Sequence, residues 1–146
     1  MGRPGATDML TVKRVDHLVL TCRSVEQTLR FYTEVLGMRE VTFGSGRKAL
    51  SFGRQKLNLH PLGQQPGGAT GSVAAVAARP TPGSVDICLI VAEPVDALLA
   101  HLSTCGIPIE EGPVMRTGAL GPIESIYIRD PDGNLVELAR YVDEVD

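Results

Sequence analysis

The chain has 146 residues, of which 43% are hydrophobic and 21% charged. That is enough apolar material for one domain with a substantial core and excludes a disordered chain. A formal net charge of −3 supplies no basic field, so nucleic acid and anionic membranes are not expected as partners. No stretch reaches the apolar length of a membrane-spanning helix, and residues 1–10 lack the apolar run of a secretory signal, so a cytoplasmic domain is expected.

In chain order, residues 1–11 open with Gly-Arg-Pro-Gly and have no sustained period, which predicts a flexible N-terminal arm. Residues 12–22 contain Val15, His17, Leu18, Val19 and Leu20, an apolar run of strand length. Ser24 stands at an N-cap position with Gln27 three residues on, and Val25, Leu29, Tyr32 and Leu36 follow at helical spacing. Gly37 closes that helix in the manner of a left-handed capping residue. Three apolar stretches, 41–43, 49–52 and 56–60, are separated by turns at 44–46 and 53–55, giving the order βαβββ.

Residues 63–84, rich in Gly, Pro and Ala, read as a linker, with a helical turn over 73–78 as its one candidate element. A strand is expected over 85–91. Pro94 opens a helix marked by Val95, Leu98, Leu99 and Leu102, and Gly106 ends it. Beyond 107–109 come a Gly112-Pro113 turn, Val114-Met115-Arg116, a turn over 118–122, and a β-hairpin. Its strands, 126–128 and 135–138, flank Asp130-Pro131-Asp132-Gly133-Asn134. Glu137 lies between Val136 and Leu138, where a buried carboxylate is costly unless a cation or donor meets it. It is the first candidate for a site, although strand alternation would also point it at solvent. Cys22, Cys88 and Cys105 are odd in number and widely spaced, which favours packing over disulfide or metal chemistry.

The second half repeats the first. Val15-Asp16 heads one unit as Val85-Asp86 heads the other, Val25 and Val95 open the helices, and Gly37 and Gly106 close them. The expected fold is α+β: a single domain over 12–142 made of two tandem βαβββ modules, 12–62 and 85–142, forming curved mixed sheets around a cavity.

Val15-Asp16-His17-Leu18-Val19-Leu20, the helix with Phe31-Tyr32 and Val35-Leu36-Gly37-Met38, and Asp130-Pro131-Asp132-Gly133-Asn134-Leu135-Val136-Glu137 resemble the signatures of the vicinal oxygen chelate superfamily. That superfamily comprises glyoxalase I, fosfomycin-resistance proteins, extradiol dioxygenases and bleomycin-binding proteins. Gly46-Arg47-Lys48-Ala49-Leu50, Lys56-Leu57-Asn58-Leu59-His60 and Arg116-Thr117-Gly118 are similar to the subgroup called glyoxalase domain-containing protein five, or virulence-associated glyoxalase-like proteins. The resemblance implies a divalent metal ion (Zn, Ni, Mn, Fe or Co) held from the first and fourth strands of each module, with His17 on the first ligand position and Glu137 on the last. Asn58 stands where glyoxalase I has a glutamate. Asp86 or Ile87, depending on register, stands where it has a histidine.

His60 lies two residues beyond Asn58 and so shares its sheet face. It could ligate or act in catalysis with Glu137, or it could cap the mouth of the cavity ahead of Pro61. Asp86 could coordinate, or form a turn. Asn58, Arg47, Arg116 and Tyr127 are candidate substrate contacts: the arginines offer planar forks for carboxylate or phosphate, and the tyrosine either faces the pocket or packs on a helix. Two functional classes follow. One is a metal-dependent lyase, isomerase or dioxygenase acting on a small molecule, other than glyoxalase I itself; the other is a metal-free, antibiotic-like binding protein of the same fold. A homodimer is expected, because each module leaves strand edges that pairing can cover.

Overall fold

The structure, a computed structural model, describes residues 9–63 and 75–143. The first module runs β1 (His17–Cys22), α1 (Val25–Glu34), β2 (Arg39–Phe43), β3 (Arg47–Phe52) and β4 (Gln55–Pro61). The second runs β5 (Asp86–Ile90), α2 (Val95–Thr104), β6 (Glu111–Gly118), β7 (Gly121–Arg129) and β8 (Leu135–Tyr141). The sheets have the orders β1-β4-β3-β2 and β5-β8-β7-β6. In each, the first strand pairs parallel with the last, and the other pairings are antiparallel. The expected pair of βαβββ modules is therefore present, as two separate four-stranded mixed sheets.

Strand alternation gives each sheet two unlike faces. One face carries Leu20, Cys22, Leu50, Leu57 and Leu59 in the first module and Ile126, Ile128, Val136 and Leu138 in the second. All join Leu29, Tyr32, Leu98 and Leu102 of the two helices in one core that spans both modules. The opposite face, here called the open face, carries His17, Val19, Asn58 and Arg47 in the first module and Asp86, Cys88, Glu137 and Tyr127 in the second. Among the described residues, no helix is long and apolar enough to cross a membrane.

Helix ends follow the sequence closely. Ser24 accepts the Gln27 N–H at 3.1 Å, satisfying an amide that the helix itself leaves unpaired. Gly37, at φ 69°, lets the chain turn back so that Met38 N donates to Tyr32 O at 3.0 Å. Gly106 repeats this in the second module, where Ile107 N donates to Leu102 O at 2.9 Å.

The hairpin turn expected around Asp130 does more than reverse the chain. Asp130, 5% exposed, accepts the N–H groups of Asp132 and Asn134 on Oδ1, both at 2.9 Å, and the Asn134 amide on Oδ2 at 2.8 Å. Its Oδ2 also accepts the Tyr32 hydroxyl at 2.8 Å, while Asn134 Oδ1 accepts Val85 N at 2.8 Å. One turn thus ties α1 of the first module to the start of β5. Burial first, and the Asp130 charge second, hold the Tyr32 phenol far above its ordinary pKa, so it remains a donor.

Four expectations need correction. The strand expected from residue 12 begins at His17, and residues 9–16 take no regular structure. Residues 75–78 form no helical turn; residues 73 and 74, like most of the arm, lie outside the described residues. Gly112-Pro113 is an irregularity within β6, between Glu111 and Val114, and not a turn between strands. Proline lacks a ladder N–H, and at Gly112 a Cβ would meet Ser125 O at 2.5 Å, so the strand accommodates the pair as a bulge. The turn expected over 118–122 shrinks to Ala119-Leu120, since Gly118 already pairs with Gly121.

Candidate functional site

The parallel pair β1 and β4 fixes the first module's polar positions. His17 is in register with Lys56, Val19 with Asn58, and Thr21 with His60. In the second module Asp86 is in register with Leu135 and Cys88 with Glu137. Superposing the two registers with Asn58 on Glu137 puts Val19 on Cys88 and His17 on Asp86. The alternative left open by the sequence is thereby resolved: the counterpart of His17 is Asp86, whereas Ile87 points into the core side of its sheet.

On the first sheet, His17 is half exposed and its Nδ1 lies 2.9 Å from Asp16 Oδ2. That contact, more than any other, holds the Asp16 carboxyl below its ordinary pKa. Asn58 is 8% exposed, and its Oδ1 is buried without a hydrogen-bond partner. An orphaned buried acceptor of this kind costs about 1–3 kcal/mol, which makes it a marked position on an otherwise satisfied sheet. His60, 7% exposed, lies in a cleft of about 390 Å³ shared with Val19 and Thr21 and roofed by Ala75, Val76 and Pro80. Burial, and then the Arg47 charge, lower its pKa, so at neutral pH it is an uncharged imidazole.

On the second sheet, Glu137 lines a separate cleft of about 430 Å³ with Cys88, Ile90, Arg116, Tyr127 and Tyr141. Ser125 Oγ donates to Glu137 Oε2 at 2.5 Å. Tyr127, in register with Glu137, accepts from Arg116 Nε at 3.0 Å, and Arg116 also reaches Glu111 Oε2 at 3.1 Å. Tyr127 therefore faces the cleft and does not pack on a helix. Its phenol is raised above its ordinary pKa, by burial first and also by Glu137, with Arg116 opposing. Cys88 is pushed up to about 11 by burial, then by Glu137 and Asp86. At neutral pH it is a thiol and not a nucleophilic thiolate.

Sequence reasoning named Glu137, Tyr127 and Arg116 and missed Ser125, Cys88, Lys56 and Phe43. Two of these had a signal: Ser125 is two residues before Tyr127, and Lys56 two before Asn58, so each shares its neighbour's sheet face. Phe43 and Cys88 enter only through the register with partner strands.

The donors fit a divalent metal in kind. His17 offers an imidazole nitrogen, Asp86 and Glu137 carboxylate oxygens, and Asn58 an amide oxygen that nothing else satisfies, a mixed N/O set suited to first-row divalent ions. They are divided two and two between the sheets. Among the described residues of one chain, no three His, Cys, Asp or Glu side chains come together around a common point.

Residues 14–138 match the family model described as the Glyoxalase/Bleomycin resistance protein/Dioxygenase superfamily. The chain is 50% identical over 133 residues to Virulence protein STM3117 of Salmonella typhimurium, spanning 91% of this chain and 88% of that one. The crystal structure of that protein superposes with a TM-score of 0.84 over 91% of this chain and 100% of the other. The glyoxalase domain-containing protein RDO1 of Mycosarcoma maydis is 49% identical over 134 residues, 92% of this chain and 72% of its own. Two more distant structures share the fold alone. Lactoylglutathione lyase from Agrobacterium tumefaciens is 24% identical with a TM-score of 0.65, covering 89% of this chain and 95% of its own. The antibiotic-binding protein TnmS3 from Streptomyces is 19% identical with a TM-score of 0.66, covering 90% and 98%.

Proposed function

The chain belongs to the glyoxalase/bleomycin resistance protein/dioxygenase superfamily, and from that premise we propose that it is a metal-dependent enzyme acting on a small molecule. The observation that carries this reading is Asn58 Oδ1, buried and unpartnered at the position that mirrors Glu137, with His17 and Asp86 at the other mirrored pair. When bound, a divalent ion supplies Lewis-acid stabilisation of negative charge on a substrate oxygen. His17, Asn58, Asp86 and Glu137 are the residues that hold it. Glu137 is the residue placed to move a proton, because Ser125 orients one of its carboxylate oxygens in the cleft. Tyr127, fixed by Arg116, presents its hydroxyl to the same cleft and orients the substrate. We read His60, the other catalytic candidate, as a wall of the first sheet's cleft, which Ala75, Val76 and Pro80 also line.

A second copy of the chain completes the site in this proposal. The open face of the first sheet carries Arg39, Arg47 and Lys56, and that of the second carries Asp86 and Glu137, with Glu111 and Arg116 paired to each other, so Asp86 and Glu137 would meet cations of the first face. Laying one copy's first sheet over the other copy's second sheet joins the two donor pairs and covers Val19 and Ile90, which are 41% and 55% exposed.

The test is metal analysis of protein purified without an affinity tag. Stoichiometric divalent metal is expected, with His17→Ala and Glu137→Ala each losing it while keeping the wild-type unfolding transition. A metal-free wild type would instead favour the binding-protein reading, in which the division of donors between two sheets reflects a lost metal centre. Isomerisation of the methylglyoxal and glutathione hemithioacetal is expected to be negligible, since the Asn58 amide cannot replace a glutamate as base or offset a metal's charge.

A further inference from the structure

The first sheet's open face holds two cations on one aromatic ring. Arg47 Cζ lies 4.6 Å and Lys56 Nζ 3.8 Å from the centroid of Phe43. Among the described residues neither has a carboxylate within ion-pair distance, whereas Lys48 binds Glu40 at 2.9 Å on the other face and Arg116 binds Glu111 at 3.1 Å on the other sheet. A ring face attracts a cation, but it does not remove the repulsion between two cations that share it. Arginine and lysine side chains are long enough to reach for a carboxylate at ion-pair distance, and these two rest on the ring instead.

Their placement relates them to the proposed site. Lys56 lies two residues before Asn58 on β4, and Arg47 two residues before Ala49, the cross-strand partner of Asn58, so both flank Asn58. We propose that Arg47 and Lys56 form a clamp for an oxyanion, a phosphate or carboxylate borne by the substrate, with Phe43 as the ring against which both cations rest. This rests on the functional reading above and narrows it: the substrate is an anionic small molecule whose charged group sits beside the oxygen that the site would polarise.

The experiment uses chelator-treated protein, so that it does not depend on the metal. Inorganic phosphate and oxalate are titrated separately at low salt and followed by backbone NMR shifts. The expected result is saturable binding of at least one, with shifts centred on Phe43, Arg47 and Lys56. Arg47→Gln and Lys56→Gln should each weaken it about tenfold, the loss of one charge-assisted contact, and Lys48→Gln should leave it unchanged. The tighter of the two anions identifies phosphate or carboxylate as the group. Linear, non-saturating shifts, or equal weakening in Lys48→Gln, would mean an adventitious ion only and would overturn the clamp. Metal retention through His17 and Glu137 is measured independently, so failure here would leave that reading standing.

Discussion

The two modules have the same strand order and the same parallel pairing of first and last strands, yet their open faces carry different chemistry. The first presents Arg39, Arg47 and Lys56 beside a neutral amide at Asn58; the second presents Glu137 bonded to Ser125, in a cleft with Tyr127 and Arg116. Register decides where a polar side chain stands on a pleated sheet, and it leaves open which residue stands there. A duplicated backbone can therefore offer two halves of a site that are alike in geometry and unlike in role. The modules also differ in their last hairpins. In the second, Asp130 collects donors from its own turn and from Tyr32 of the other module. In the first, β3 and β4 are joined by Gly53-Arg54, both exposed.

The largest expected effect tests that difference between turns. Asp130→Ala strands the Tyr32 hydroxyl, the Asn134 amide and two backbone N–H groups, and should cost about 3 kcal/mol or more in urea unfolding. Arg54→Ala at the corresponding turn should stay within about 0.5 kcal/mol. A small effect at Asp130 would mean that the modules are held by their shared core alone. Next comes a variant that makes the modules more alike: Asn58→Glu should raise divalent-metal affinity about tenfold or more, equivalent to about 1.4 kcal/mol, as measured by competition with a chromogenic chelator. It is also the variant in which hemithioacetal isomerisation could appear. If the wild type already turns that substrate over rapidly, the amide is not the limiting difference.

The helices differ more modestly. Ser24→Ala removes the side-chain cap of α1 and should cost about 1 kcal/mol. Pro94, at the start of α2, makes no side-chain cap bond, so Pro94→Ala should change stability by less. The smallest effect is a pH dependence at His60. Its folded-state pKa lies below the ordinary 6.5, through burial and then Arg47. The unfolded chain therefore takes up a proton at His60 before the folded one does. Stability should be unaffected by this residue well above pH 6.5 and fall as the pH drops below it. In His60→Gln that part of the acid sensitivity should disappear, a difference read from thermal unfolding at pH 7.5 and 5.5.

Much of the fold was legible in the sequence because its signals are local. Ser24, Gly37 and Gly106 act within one helical turn, and the apolar runs have strand length. The Gly112-Pro113 pair was misread because a proline and a glycine signal a turn when only the chain itself is considered. Here they sit against Ser125 of the neighbouring strand, which only the sheet makes visible. The candidate positions His17, Asn58, Asp86 and Glu137 came from the resemblance, and the register puts Asp86, not Ile87, on the open face. Lys56 and Phe43 were not found, since what distinguishes them is a cation resting on a ring two strands away in the sequence. Nothing in residues 55–60 alone reports that contact.

The central claim is that metal is held jointly by His17 on one sheet and Glu137 on the other, brought together by two copies of the chain. The direct test is metal stoichiometry after His17→Ala and Glu137→Ala chains are unfolded together, refolded as a mixture and dialysed against limiting metal. Each variant alone should bind little. The mixture should regain metal, because a mixed dimer contains one site with both residues intact and one with neither. A mixture no better than its components would contradict the shared site, and wild-type metal content in either variant alone would contradict the metal assignment itself.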